Sequence, residues 1–224
     1  SAKELVIQNN TATDVFYRGF YITGILDYSN SDDFTGDTLH ALIDNNTIEF
    51  DPDRQSYQAI YISHRNQAIS NPNYVRQVTI SNNTIDGSFA ESSNGIVFDG
   101  NYENNSQVLD VLNNNVSDVN SVGIYIHKGL QGRVRDNTIV NAHMSKENYN
   151  NDYYDYGALE IYWSSQEIVG NSVSGSKASG IRVGLHDARV DSNTVINCGV
   201  GMYFYGESNF PTTSSVRYNN ITNN

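Results

Sequence analysis

The chain has 224 residues, a formal net charge of −12 and a single cysteine, Cys198. The negative charge argues against a nucleic-acid partner, because phosphate binding needs a basic face that releases counterions, and one cysteine allows no intrachain disulfide. No apolar run reaches the roughly 18 residues of a membrane-spanning helix, and 16 tyrosines with 8 phenylalanines point to a packed chain rather than a disordered one.

Residues Ser1 to Leu5 do not read as a leader peptide. The first element, Leu5-Val6-Ile7-Gln8, alternates apolar and polar positions, bends through Asn9-Asn10 and resumes at Thr11-Ala12. Such period-two patterning predicts strand, bend, strand. A second phrase follows, Gly19-Phe20-Tyr21-Ile22, a small residue leading an alternating apolar run. An insertion from 23 to 41 then carries Asp27, Asp32, Asp33 and Asp37. Its oxygen donors make Ca2+ the one cofactor the sequence suggests, but the spacing departs from an EF-hand loop, and a solvated acidic loop is the simpler reading.

From there the two phrases alternate to the end of the chain. Asn46-Thr47-Ile48 precedes Ala59-Ile60-Tyr61-Ile62, and Asn83-Thr84-Ile85 precedes Gly95-Ile96-Val97-Phe98. Asn114-Asn115-Val116 precedes Gly123-Ile124-Tyr125-Ile126, and Asn137-Thr138-Ile139 precedes Ala158-Leu159-Glu160-Ile161. Asn171-Ser172-Val173 precedes Gly180-Ile181-Arg182-Val183, Asn193-Thr194-Val195 precedes Gly201-Met202-Tyr203-Phe204, and Asn219-Asn220-Ile221 closes the series. The leading asparagines are 36, 37, 31, 23, 34, 22 and 26 residues apart, so the short spacings define a minimal coil and the long ones add loops. A repeat of this period predicts an all-β solenoid of seven to eight coils over residues 1–224, a single domain. Ladder phrases run to both ends without a polar cap, so the domain reads as a segment of a longer chain or one whose ends stack on other β-helix segments.

Asparagine suits each bend for two reasons. It tolerates a left-handed backbone, and its side-chain amide can bond to the asparagine of the next coil. The recurring asparagines are therefore read as structure. His40 and His143 are read as loop residues, and Cys198, beside Gly199, as a packed thiol at a coil corner.

The two phrases resemble the parallel β-helix repeats shared by pectate lyases, other polysaccharide lyases, some glycosidases, alginate epimerases and many surface proteins. The resemblance covers essentially the whole chain and implies a right-handed parallel β-helix with three strands per coil. It implies that the Gly-Ile-x-Ile strand comes first, that the asparagine bend joins the other two, and that a polysaccharide lies in a groove over the first sheet. A secreted or cell-surface location follows from the same likeness. The match does not extend to an activity. The Asp-Pro-His-Asp/Glu phrase of alginate epimerases has no counterpart beyond Asp51-Pro52-Asp53 and Leu185-His186-Asp187, and the Arg-x-Pro-x-x-Arg phrase of pectate lyases is absent.

Alternation identifies the residues that would face outward on those strands. The pairs are Tyr21 and Thr23, Tyr61 and Ser63, Val97 and Asp99, Tyr125 and His127, Glu160 and Tyr162, Arg182 and Gly184, and Tyr203 and Tyr205. Tyrosines dominate this column, with Asp99, His127, Glu160 and Arg182 grouped in its middle. The insertion from 143 to 157 carries Tyr149, Tyr153, Tyr154 and Tyr156 and runs directly into Glu160, so it should wall the groove. Tyr61, Tyr154, Tyr156, Tyr162, Trp163, His186, Tyr203 and Tyr205 are the candidate sugar-binding side chains, since flat rings offer sugar rings a face. Aromatic stacking between coils explains part of the same column without any ligand.

Two chemistries fit the ionisable residues. Asp99 and Glu160 stand two coils apart, roughly 10 Å, near the upper end of the carboxylate separation in inverting glycoside hydrolysis. Elimination from a uronate needs a base, a proton donor and a neutralising cation. His127 or Lys128 would be the base, Tyr125 the donor and Arg182 the cation. The competing function is a non-catalytic structural or adhesive module of a surface protein or filament.

Overall fold

The computed structural model describes residues 3–23, 39–63, 76–100, 107–127, 131–143, 156–162, 165–184, 187–206 and 214–224. Among them every regular element is a strand, and the strands fall into three parallel sheets of eight, eight and seven. Sheet A gathers the strands that lead into an asparagine, such as Leu39–Asp44 and Gln131–Arg135. Sheet B gathers those that leave it, such as Thr47–Phe50 and Thr138–Ala142. Sheet C gathers the second phrase, from Arg18–Thr23 to Val200–Tyr205. Each coil thus visits A, B and C in turn, and like strands pair only with like, which is the solenoid the repeats predict, with the three strands per coil that the resemblance implies.

The side chains of alternate residues fill the tube. Ile43, Ile80 and Leu109 from sheet A, Ile48, Ile85 and Val116 from sheet B, and Ile60, Ile96, Ile124 and Ile126 from sheet C are all fully buried. Each contributes about 1.5–3 kcal/mol by leaving water. The small residue that opens the second phrase has a packing cause. A Cβ on Gly123 would stand 2.6 Å from Ile139 Cγ2, and one on Gly95 would stand 2.6 Å from Val116 Cγ1. At this point the chain passes closest to the core side chains of sheet B, so these coils take glycine, and alanine stands only where the local packing leaves room, as at Ala59 and Ala158.

The asparagine ladder closes almost completely. In Asn137, Nδ2 donates to Asn171 Oδ1 at 2.9 Å and to the Val111 carbonyl at 2.9 Å. Its own Oδ1 accepts from Asn114 Nδ2 and from the Asn114 backbone N–H, both at 3.0 Å. The same pattern links Asn46, Asn83, Asn114, Asn171 and Asn193. Buried amides cost little when every donor and acceptor is matched, and here the match repeats with the coil.

Two sequence expectations are corrected. The left-handed backbone does not belong to the ladder asparagine but to the residue before it: Asn9, Asn45, Asn82, Asn113, Asp136, Gly170, Ser192 and Tyr218 all have positive φ. The two tasks assigned to one residue are split, because the ladder side chain must point along the stack while its predecessor makes the turn. His40 is not in a loop; it lies within strand Leu39–Asp44, paired between Glu4 and Gln77. His143 does lie outside the strands, in a bend, yet it is buried. It follows strand Thr138–Ala142, is 2% exposed, and its Nε2 donates to the Gly157 carbonyl at 3.1 Å. Burial pulls the pKa of this imidazole down to about 4, against the opposing pull of that carbonyl. Cys198 is a buried free thiol, as its corner position suggested.

Candidate functional site

The outer face of sheet C brings the predicted column into register. Tyr21 pairs with Tyr61, Tyr61 with Val97, Val97 with Tyr125, Tyr125 with Glu160, Glu160 with Arg182 and Arg182 with Tyr203. A parallel row runs through Ser63, Asp99, His127 and Tyr162. Parallel pairing without slips makes this alignment automatic once the inward isoleucines set the register. Lys128, Tyr154, Trp163 and His186, together with most of the 23–41 and 143–157 insertions, lie outside the described residues. Among the described residues no group of three or more His, Cys, Asp or Glu side chains could hold a metal ion.

Two polar pairs cross between neighbouring coils at the centre of the face. His127 Nδ1 is 3.1 Å from Asp99 Oδ1, and both side chains are partly accessible. Arg182 Nη1 donates to Glu160 Oε1 at 2.5 Å, with the two side chains 14% and 6% exposed. Glu160 Oε2 also accepts the Gly157 backbone N–H at 3.1 Å. Glu160 is therefore a carboxylate held at both oxygens, where the column alone suggests an exposed group. Its place just after Gly157, at the start of the strand, lets the backbone N–H reach back to it.

Aromatic rings enclose these pairs. The His127 ring lies between Tyr125, at 5.8 Å, and Tyr162, at 5.1 Å between centroids. Tyr205 reaches back across one coil to Tyr162, with centroids 5.7 Å apart, and carries the Arg182 guanidinium 4.4 Å above its ring. Gly184 makes that reach feasible, since a Cβ there would stand 3.0 Å from the Tyr205 hydroxyl. A residue that seemed an empty outward position is the slot the ring fills. The Tyr205 hydroxyl and Arg182 Nε are buried and make no hydrogen bond to the described residues. Burial holds the Tyr205 phenol far above the ordinary tyrosine range, opposed by Arg182. Burial does the same for Tyr125, reinforced by the charges of Glu160 and Asp99. Both phenols stay protonated at neutral pH and are available as donors.

Tyr156 lies away from this cluster, 5.9 Å from the His143 ring at the opposite end of strand Gly157–Tyr162. Tyr61 stacks on Tyr21 at 5.4 Å with an interplanar angle of 3°. Column reading overlooked Arg18, which lies on these tyrosines and on Tyr17 and Tyr57. The signal was present in the repetition of Tyr17-Arg18-Gly19-Phe20-Tyr21 as Tyr57-Gln58-Ala59-Ile60-Tyr61.

The family model for a right-handed β-helix region matches residues 69–224. No curated protein matches the sequence, and no solved structure does.

Proposed function

The chain belongs to the right-handed β-helix family, an architecture that hosts many chemistries, and on that premise we propose that it is a secreted or surface protein that binds a polysaccharide across sheet C and cleaves it by elimination at His127. The observation that carries this reading is the Asp99–His127 pair at 3.1 Å, walled by Tyr125 and Tyr162. A carboxylate on Nδ1 selects the tautomer whose lone pair is on Nε2 and supports the imidazolium that forms when that nitrogen takes a proton. Tyr125, kept protonated by burial and by the neighbouring carboxylates, is the matching donor. In the reaction His127 removes the proton α to the sugar carboxyl, that electron pair becomes the ring double bond, the C4–oxygen bond breaks and Tyr125 protonates the departing oxygen.

Hydrolysis fits less well. With Oε1 on Arg182 and Oε2 on Gly157, Glu160 is built as a fixed counter-charge rather than as a proton shuttle. The same pairing means that Arg182 orients the ring and Tyr205 more than it neutralises a uronate. Tyr162, Tyr203 and Tyr205 supply the faces on which sugar rings would lie.

A non-catalytic module is the second reading, favoured by the fact that both polar pairs join directly paired residues of adjacent coils and so also staple the solenoid. Ultraviolet absorbance of unsaturated products, followed over a panel of neutral and uronic polysaccharides, separates the two. Turnover that falls about 10²–10⁴-fold in His127→Ala supports elimination. Binding without turnover, or turnover indifferent to His127→Ala, ends the catalytic assignment.

A further inference from the structure

At the other end of sheet C a guanidinium lies among four tyrosines. The Arg18 Cζ is 4.5 Å from the Tyr21 ring centroid, 4.7 Å from Tyr17, 5.3 Å from Tyr61 and 6.0 Å from Tyr57. Tyr21 and Tyr61 stack face to face, while Tyr17 and Tyr57 meet edge to face at 4.8 Å. Arg18 Nε donates to Gln58 Oε1 at 2.7 Å, which fixes the plane of the fork. Tyr17 and Tyr21 are 47% and 51% exposed, so the cluster opens to solvent.

Among the described residues no carboxylate matches the charge of Arg18. Arg54, Arg133, Arg182 and Arg189 each have a carboxylate oxygen within 4.0 Å, from Asp51, Asp110, Glu160 and Asp191 respectively. Among the described residues Arg18 has no such partner, nor do Arg135 and Arg217, but of these three only Arg18 is set against aromatic rings. Its cation is stabilised instead by ring faces, which attract it without consuming its hydrogen-bond donors. An arginine held in this way, with Nε tethered and the terminal nitrogens unspent on any described residue, matches the paired acceptor oxygens of a carboxylate or sulfate. The rings beside it suit the apolar face of a pyranose.

We propose that Arg18, Tyr17, Tyr21, Tyr57 and Tyr61 form a distal subsite for an acidic sugar, with the anionic group on Arg18 and the sugar ring against the exposed tyrosines. The inference rests on the carbohydrate reading above and adds to it where the negative charge of the ligand is met. Tyr61 and Tyr125 stand two strand spacings apart, roughly 10 Å, so one oligosaccharide could occupy both regions. The central cluster, with Arg182 already matched by Glu160, would then take a uronate ring whose carboxyl is masked as an ester.

Calorimetric titration of the full chain with dextran, dextran sulfate, polygalacturonate and fully methyl-esterified polygalacturonate tests this. Polygalacturonate should bind more tightly than its ester and lose affinity as salt rises. Arg18→Gln should weaken polygalacturonate binding about tenfold, the weight of one charge-assisted bidentate contact, and leave the ester unchanged. Arg18→Lys, which keeps the charge without the fork, should recover only part of that loss. Dextran sulfate bound in place of polygalacturonate, with the same Arg18 dependence, assigns the anion as sulfate. Anionic binding that is unaffected by Arg18→Gln, or absent in the wild type, overturns the subsite. A wild type that binds through Arg18 without any turnover keeps the subsite and removes the elimination chemistry.

Discussion

Each ladder asparagine does the work of four hydrogen bonds in the space of one side chain. Replacing Asn137 by Ala leaves the Asn114 backbone N–H and one of its two amide hydrogens unpaired in a buried layer, the other staying on the Ile80 carbonyl. The expected loss is roughly 2–4 kcal/mol in denaturant unfolding, because unsatisfied buried donors carry their full desolvation cost. Asn10→Ala at the accessible end of the ladder should cost under about 1 kcal/mol, and equal losses at both sites would contradict this account. His143 adds a pH dependence of definite sign. Its native pKa, about 4, lies below the ordinary 6.5. Above 6.5 both states are neutral; between 6.5 and 4 the unfolded state takes up a proton that the native state refuses. Stability is therefore present above the ordinary value and lost as pH falls through that window, by on the order of 3 kcal/mol when complete. Subtracting the pH profile of His143→Gln from that of the wild type isolates this contribution, and superimposable profiles would refute it.

At the level of elements, the small residue at or just before the start of the inward run of each sheet C strand is set by the sheet B side chain beneath it. Gly123→Ala must push Ile139 aside and should destabilise by about 1–3 kcal/mol, as overpacking does. Ala59 and Ala158 occupy the same phase of other coils, fully buried, so the penalty belongs to the local packing rather than to alanine itself. On the outer face of the same sheet, Gly184→Val should drive the Tyr205 ring out of its slot and away from Tyr162 and Arg182. The expected result is near-normal stability with weakened sugar binding, visible as a lower affinity in glycan titration while the thermal midpoint stays within a few degrees. Unchanged affinity would mean that the Tyr205 ring does not form part of the sugar-binding face.

For the molecule as a whole, stability passes from coil to coil, since the backbone of each coil pairs only with its neighbours. Val190 and Val195 are fully buried, whereas their partners one coil on, Val216 and Ile221, are 46% and 47% exposed. Amide exchange should therefore be fastest in strands Ser215–Arg217 and Asn220–Thr222 and slowest through the middle coils, and uniform protection would contradict a nearest-neighbour stack. The repeats alone determined the solenoid, the ladder and the inward isoleucines, because each follows from a period-two or per-coil pattern that a chain can express locally. They also determined which side chains share the outer face of sheet C, since parallel register carries one coil's alternation onto the next. What each polar residue does there was decided only by the tertiary structure. The commitment of Glu160 to Arg182 and Gly157, the folding of Tyr205 over Gly184, the burial of His143 and the gathering of four rings around Arg18 all join residues from different coils or strand ends. Loop insertions separate those residues by 22 to 40 positions in most cases, and the reach and tilt of a side chain across that gap depend on packing that no repeat encodes.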